Sequence, residues 1–201
     1  HDPRLLRALF GRHLALPMVP AGGDDVTRSR QRFAMGLAAI EAELPERAAR
    51  LPADALVDEL RWTNFLLAYQ GEDDRELQAR FAGIVARAID AANPKLRAPL
   101  PHRYRGTRRL RVGFVSAFFR EGTVGRYFER WITDLPREAF EVCVYHLQPG
   151  EDAVAARLAA RADRFRRCPR FRPSQVAAAV REDAPDVLVY PELGMDATTF
   201  A

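Results

Sequence analysis

The sequence is poor in the residues that build metal and disulfide sites. It has two cysteines, Cys143 and Cys168, without a CxxC spacing, and four histidines that form no paired ligand pattern. Structural zinc sites and disulfide frameworks both need clustered ligands or cysteines. The sequence therefore predicts neither a bound metal nor a disulfide scaffold. Cys143 lies within an apolar run, and we expect it to be a buried, structural thiol.

Long apolar runs and lysine-rich patches are also missing. No apolar stretch approaches the roughly 20 residues that span a membrane, and HDPRLLRALF lacks a signal-peptide core. Lys95 is the only lysine, so the net charge of +4 comes from arginines interleaved with Asp and Glu. The densest basic cluster, residues 103–111, matches no nucleic-acid motif and is interpreted as a solvated linker. We expect a cytoplasmic protein without membrane or nucleic-acid partners.

The first 93 residues carry the pattern of amphipathic helices. Apolar residues recur every three or four positions in PRLLRALFGRHLAL, VTRSRQRFAMGLAAIEAEL, ALVDELRWTNFLLAYQG and EDDRELQARFAGIVARAIDAANP. No 34-residue self-similarity is evident, so a helical-repeat array is not predicted. Residues 94–108 are rich in Pro and Arg. They are predicted to link an all-helical segment, 1–93, to a second domain, 109–201.

From residue 109 onward, predicted strands alternate with predicted helices. RLRVGFVS, FEVCVYHL, RFRRC and DVLVYPEL are the strands, and TVGRYFERWITDL, EDAVAARLAARAD and SQVAAAVREDA are the helices between them. Trp131 and Ile132 are both assigned to the buried side of the first of these helices. Strands that are apolar without alternation are typical of sheets covered on both faces. The fold class is therefore predicted as α/β, with a parallel, Rossmann-like sheet.

Two segments that follow strands carry polar chemistry: SAFFREGTVGRY after the first strand and PELGMDATT after the last. Ligands of open parallel sheets bind outside the carboxyl ends of the strands, so these segments are expected to form the edges of one cleft. Neither contains GxGxxG or GK[ST]. A helix starting near Thr123, with Arg120 and Arg126 beside it, would attract an anion. The alternative is a plain turn at Gly122 with a capping Thr123.

The ordered set LRVGFVSAFFREGTVGRYF, FEVCVYHLQPGEDAVAARLAARADRFR and DVLVYPELGMDATTFA resembles the start of the catalytic region of the O-linked N-acetylglucosaminyltransferase family, closest to its bacterial SPINDLY-like branch. The upstream TNFLLAYQGEDDRELQARFAG resembles the helical segment that precedes this region. The resemblance implies the first half of a GT-B fold. It also implies an inverting transferase that needs no cofactor and moves a sugar, usually GlcNAc, from a UDP-sugar to a protein Ser or Thr. Such enzymes hold the donor mainly in a second domain. The chain looks cut at both ends, and we expect it to be inactive alone.

The resemblance also assigns roles to individual residues. Family members commonly place a histidine in the first loop, and here that position falls on Gly122, directly after Glu121. Glycine has no side chain that can shuttle a proton. Glu121 is therefore the candidate catalytic residue, and the alternatives are water-assisted chemistry or a member with impaired or altered activity. The candidate substrate-binding residues are Ser116, Arg120, Gly122, Thr123, Arg126, Glu192, Gly194 and Asp196.

Several of these assignments have simpler alternatives. Asp196 matches the bacterial branch as a cleft residue, but it is also a suitable N-cap for the next helix. Glu192 is either a polar group of the cleft or part of a turn. The missing histidine favours a second function, a degenerate member that binds a protein partner through its helical half. A response-regulator domain is set aside because Ala-Phe-Phe, and not an acidic pair, follows VGFVS.

Overall fold

The computed structural model describes residues 5–92, 94, 106 and 108–200, which form two compact units, one helical and one built on a sheet. Most of the predicted linker, 94–108, lies outside the described residues. Lys95, His102 and Ala201 also lie outside them.

The helical unit follows the periodicity of its apolar residues. Its helices are α1 (Leu6–Leu14), α2 (Gly23–Ala48), α3 (Ala53–Glu59) and α4 (Arg75–Ala92), with a 3₁₀ helix at Phe65–Gln70 before α4. Phe10, Phe33 and Phe81 are fully buried in one core with the leucines of the same helix faces. Burial of each such side chain contributes about 2 kcal/mol, so the core is the main source of stability here.

Two helix predictions in this unit need correction. The segment at 55–71 was expected to be one helix, but α3 ends at Glu59 and the 3₁₀ helix begins at Phe65. The hydroxyl of Thr63 accepts a hydrogen bond from the amide of Phe65 at 3.2 Å. Such local bonds compete with helical ones, and this one lies in the stretch between α3 and the 3₁₀ helix. The helix predicted over 26–44 is also longer than expected, because α2 continues through Pro45 to Ala48. Proline has no amide hydrogen to donate, so this turn of α2 lacks one helical hydrogen bond.

The sheet unit has the predicted alternation of strands and helices. Its elements are β1 (Leu110–Ser116), α5 (Thr123–Thr133), β2 (Phe140–His146), α6 (Ala153–Arg161), β3 (Arg164–Arg167), α7 (Pro173–Asp183), β4 (Val187–Val189) and α8 (Ala197–Phe200). All strand pairs are parallel, in the order β3-β2-β1-β4. This is the order in which Rossmann folds begin. The predicted α/β class with a Rossmann-like sheet is confirmed.

Helices cover both faces of the sheet. Phe114 and Val144 pack on one face with apolar residues of α5 and α6, and Tyr145 packs on the other face with residues of α7. Ile132 is buried as predicted, but Trp131 is 59% exposed and its assignment to the buried side is wrong. Neighbouring residues of a helix point about 100° apart, so the apolar character of Trp131 was a poor guide to its orientation.

Candidate functional site

The two segments expected to form a cleft do meet at the carboxyl edge of the sheet. β1 ends at Ser116, which lies opposite His146 at the end of β2. β4 pairs with β1 on its other side. Because parallel strands end at the same edge, the loop after β1 and the turn after β4 leave the sheet side by side.

Glu192 joins these two segments. Its side chain is buried, with 6% of the residue exposed. The carboxylate accepts hydrogen bonds from the hydroxyls of Ser116 at 3.4 Å and Thr199 at 3.2 Å. The amides of Ala117 and Asp196 also donate to it. Burial raises the pKa of Glu192 above its ordinary value, although these hydrogen bonds oppose the shift.

The turn after β4 is built from special backbone geometry and a cap. Gly194 has a φ of 86°, a left-handed conformation that side chains other than glycine rarely adopt. The carboxylate of Asp196 accepts a hydrogen bond from the amide of Thr198 at 2.8 Å at the start of α8. The simpler alternative for Asp196, a helix cap, is therefore present. The cleft role proposed for Asp196 and Gly194 stays a prediction.

The loop after β1 is tightly folded onto the first turn of α5. The hydroxyl of Ser116 accepts a hydrogen bond from the amide of Phe118 at 2.9 Å, and the guanidinium of Arg120 lies 5.3 Å from the centre of the Phe118 ring. A Cβ atom on Gly125 would lie 2.0 Å from the carbonyl oxygen of Arg120. The close approach thus requires glycine at position 125.

Gly122 is different, because nothing in the described structure requires a glycine there. Its φ of 163° is extended, and a Cβ atom would meet no atom closer than the Arg120 carbonyl oxygen at 4.0 Å. The residue is exposed and precedes Thr123, the exposed first residue of α5. A side chain at position 122 would therefore fit without rearrangement of the loop.

Two candidate site residues pair with each other. The carboxylate of Glu121 accepts hydrogen bonds from Nε of Arg126 at 3.1 Å and from Nη2 at 2.9 Å. Both side chains are exposed, so the pair contributes little to stability. An anion bound at the start of α5 would have to compete with Glu121 for the guanidinium of Arg126. The catalytic role of Glu121 and the binding roles of Arg120, Thr123 and Arg126 stay predictions.

Asp152 and His146 also lie at this edge, and the site predictions did not include them. The carboxylate of Asp152 accepts hydrogen bonds from the amides of Val154 and Ala155, both at 3.0 Å, at the start of α6. It also accepts one from the amide of Glu121 at 2.5 Å. The pKa of Asp152 is lowered, chiefly by the bond from Glu121. An acidic residue before an apolar helix indicates the cap, but nothing in the sequence indicates the contact 31 positions away.

His146 is buried at the end of β2, one strand from Ser116. Its Nε2 lies 3.0 Å from the carbonyl oxygen of Gly150 and is assigned as the donor, because a carbonyl can only accept. Its Nδ1 is buried without a hydrogen-bond partner among the described residues. The imidazole thus holds the loop between β2 and α6, which contains Asp152.

Other kinds of site are less well supported within the described part of the chain. No group of three or more His, Cys, Asp or Glu residues there could hold a metal ion. None of the described helices is long and apolar enough to cross a membrane. A cavity of about 410 Å³ lies in the helical unit, between α2, α3 and α4. It is lined mainly by alanine and leucine and offers no cluster of catalytic groups.

Comparison with known proteins shows a likeness at the level of the fold. No family model matches the sequence, and no curated protein matches it significantly. Among solved structures, the chain is similar to an O-GlcNAc transferase of Thermobaculum terrenum, solved as a mutant, with a TM-score of 0.54 over 98% of this chain. The chain has an O-GlcNAc-transferase-like fold. The sequences are 23% identical and the chain covers 35% of that protein's length, so the likeness concerns the fold.

Proposed function

We propose that the chain is part of a glycosyltransferase that passes a sugar from a UDP-sugar to a Ser or Thr hydroxyl of a protein. It would form the acceptor side of a GT-B active site, and a second domain would hold most of the donor. GlcNAc is the sugar proposed, and the SPINDLY-like branch is the proposed relationship. Both rest on the sequence resemblance together with the fold likeness.

The observation that supports this proposal best is the Glu192 contact between the two edge segments. Glu192 holds the loop after β1 through Ser116 and Ala117, and it holds the start of α8 through Thr199. A buried carboxyl that fixes two loops at the carboxyl edge of a parallel sheet provides a preorganised surface where ligands of this architecture bind.

The proposed reaction is a displacement with inversion. The acceptor oxygen attacks the anomeric carbon, the bond from that carbon to the diphosphate breaks, and UDP leaves with the electron pair. The hydroxyl proton passes to a base or to water. Rate would come mainly from positioning of the two substrates and from stabilisation of the leaving diphosphate. Glu121 is the proposed base of this loop, in competition with its ion pair to Arg126.

The experiment is a transfer and hydrolysis assay with UDP-GlcNAc on the complete gene product that contains this chain, beside its Glu121→Gln and Gly122→His variants. Measurable UDP release by the parent is the expected result. Activity of the parent that Glu121→Gln abolishes would support Glu121 as the base. Activity that persists in Glu121→Gln would favour water.

Gly122→His tests whether a loop imidazole improves the reaction. Position 122 has room for a side chain, so a gain of activity is expected without loss of folding. Gly23→His is a matched control, because position 23 is also open and lies at the start of a helix, α2, in the helical unit. Folded protein that shows no activity, in the parent or in either variant, would overturn the proposal.

The second function, a degenerate member that binds a protein partner, is favoured by one specific observation. The loop has glycine at 122, and the carboxylate beside it is paired with Arg126. A loop without an imidazole, whose carboxylate is held by Arg126, would be a stable scaffold that lacks a free base for the reaction. A parent that neither hydrolyses nor transfers the UDP-sugar, although its donor domain binds UDP, would point to this function.

A further inference from the structure

We infer that Asp152 is a positioning residue, which holds the loop after β1 in place from outside the two segments that the site predictions named. Its carboxylate connects the end of this loop to the start of α6. The effect on sugar transfer rests on the proposed function, whereas the effect on the loop does not.

The two oxygens of Asp152 have different partners. Oδ1 accepts from the amides of Val154 and Ala155 and so caps α6. Oδ2 accepts from the amide of Glu121. A helix cap needs only one acceptor oxygen, so the bond from Oδ2 is additional to capping. It connects two loops that leave neighbouring strands, β1 and β2.

The loop after β1 is consequently held at both of its ends by carboxylates. Glu192 accepts from the amide of Ala117 at the start of the loop, and Asp152 accepts from the amide of Glu121 near its end. Without the second bond, Glu121 and Gly122 would be held only through their chain neighbours, the buried Phe119 on one side and the first turn of α5 on the other. The candidate catalytic position is therefore fixed by Asp152 more directly than by its own side-chain contacts.

His146, at the end of β2, helps to hold the loop that carries Asp152. Its Nε2 bonds to the carbonyl oxygen of Gly150, two residues before Asp152. Gly150 has a φ of 87°, a left-handed conformation that favours glycine. The position of the Asp152 carboxylate thus follows from the end of β2, through a bend that the imidazole holds. This chain of contacts runs from the sheet to the amide of Glu121.

Asp152→Asn separates the two functions of the carboxylate. Asparagine keeps an oxygen that can cap α6, but it must then place its amino group where Oδ2 accepted from the amide of Glu121. Two donors would face each other there. Asp152→Ala removes both functions. Asp73→Asn is the matched control, since Asp73 accepts from the amide of Arg75 at 2.9 Å at the start of α4 in the helical unit.

The experiment measures hydrogen exchange by mass spectrometry, together with kcat and KM for UDP-GlcNAc and an acceptor protein, on the complete gene product. A hydrogen bond to a charged acceptor corresponds to roughly a 10- to 100-fold change in an opening equilibrium. We expect Asp152→Asn to raise amide exchange in residues 117–122 by at least about 10-fold. Exchange in α6 should stay at the parent level, kcat should fall, and KM for the donor should change little.

The outcomes separate this inference from the proposed function. The inference would be overturned if amide exchange in residues 117–122 did not change in Asp152→Asn. It would also be overturned if Asp73→Asn accelerated exchange in the same residues equally. Faster exchange with an unchanged kcat would overturn its catalytic part. If the parent has no transferase activity, the proposed function fails, while exchange in the loop still shows whether Asp152 positions it. Asp152→Ala should in addition accelerate exchange in α6.

Discussion

The buried carboxylate of Asp183 leads to the sharpest prediction about how the sheet unit is held together. It lies at the end of α7 with no exposed side-chain surface. It accepts hydrogen bonds from Nε and Nη2 of Arg166, both at 2.6 Å, from Nη1 of Arg164 at 2.8 Å, and from the hydroxyl of Tyr145 at 3.0 Å. One side chain thus joins α7 to β2 and β3, and we expect Asp183→Asn to destabilise this unit.

The size of the effect follows from these partners. Removal of one member of a buried ion pair costs about 3–5 kcal/mol, because the other charge is left unpaired. The side chains of Arg164 and Arg166 are 47% and 33% exposed, so water can solvate them in part. We therefore expect the lower end, a loss of about 3 kcal/mol in the free energy of unfolding. Tyr145→Phe removes one hydrogen bond and should cost about 1 kcal/mol.

The assay is urea unfolding followed by tryptophan fluorescence. The chain has two tryptophans, Trp62 in the helical unit and Trp131 in the sheet unit, so a Trp62→Phe background makes the signal specific for the sheet unit. With an m-value of about 2 kcal/mol/M, a loss of 3 kcal/mol lowers the midpoint by about 1.5 M. Equal midpoints for Asp183→Asn and Tyr145→Phe would refute the reasoning, since the charge would then contribute nothing beyond the hydrogen bond.

Asp183 also makes the stability of the sheet unit depend on pH. Burial raises the pKa of Asp183, but the hydrogen bonds from Arg166 and Tyr145 outweigh burial, and the net pKa is lowered. A group with a lowered folded-state pKa stabilises the fold above its unfolded pKa, near 4, and loses that contribution as the pH falls through the folded value. The parent and Asp183→Asn should therefore differ most above about pH 4, and the difference should shrink as the pH falls below that value. A difference as large at pH 2 as at pH 7 would contradict this assignment.

Two further predictions concern packing and thiol reactivity. Gly36→Ala should destabilise the helical unit by about 2 kcal/mol, because the added Cβ would lie 2.3 Å from the carbonyl oxygen of His13. Gly83→Ala is the control in a helix of the same unit; its Cβ meets only a flexible arginine end, and a gain of up to about 1 kcal/mol is expected in urea titrations. Burial raises the pKa of Cys143 to about 11, and Cys168 is also buried with a raised pKa, so neither thiol should react with a disulfide reagent at pH 8 unless urea is added.

The fold of the sheet unit could be predicted because the alternation of strand and helix patterns is repeated along the sequence. Three of the four strands, β1, β2 and β4, are short apolar runs and the helices between strands have a 3.6-residue period, so several independent observations indicate one topology. The errors occurred where one local contact decides the outcome. The chain leaves the predicted helix after Glu59 and forms a local bond from the amide of Phe65 to the hydroxyl of Thr63, and Trp131 faces water although its neighbour Ile132 is buried. Composition does not contain this information.

The candidate site could also be predicted only in part. The sequence identified both segments at the carboxyl edge, since their position follows from topology alone. It did not identify Asp152, because the bond to the amide of Glu121 joins residues 31 positions apart and depends on how two loops bend. It also did not identify which glycine the fold of this loop requires. Only the backbone shows that Gly125 is required by the Arg120 carbonyl, whereas Gly122 is not required.

This difference bears on what the absence of a loop histidine means. The loop after β1 is held by Glu192 at its start, by Asp152 near its end and by the close packing of Gly125 on Arg120. None of these contacts involves a side chain at position 122. A change of residue at that position can therefore alter the chemistry of the loop while its conformation stays the same. Glycine at 122 is consequently evidence about the reaction and carries no argument against the fold.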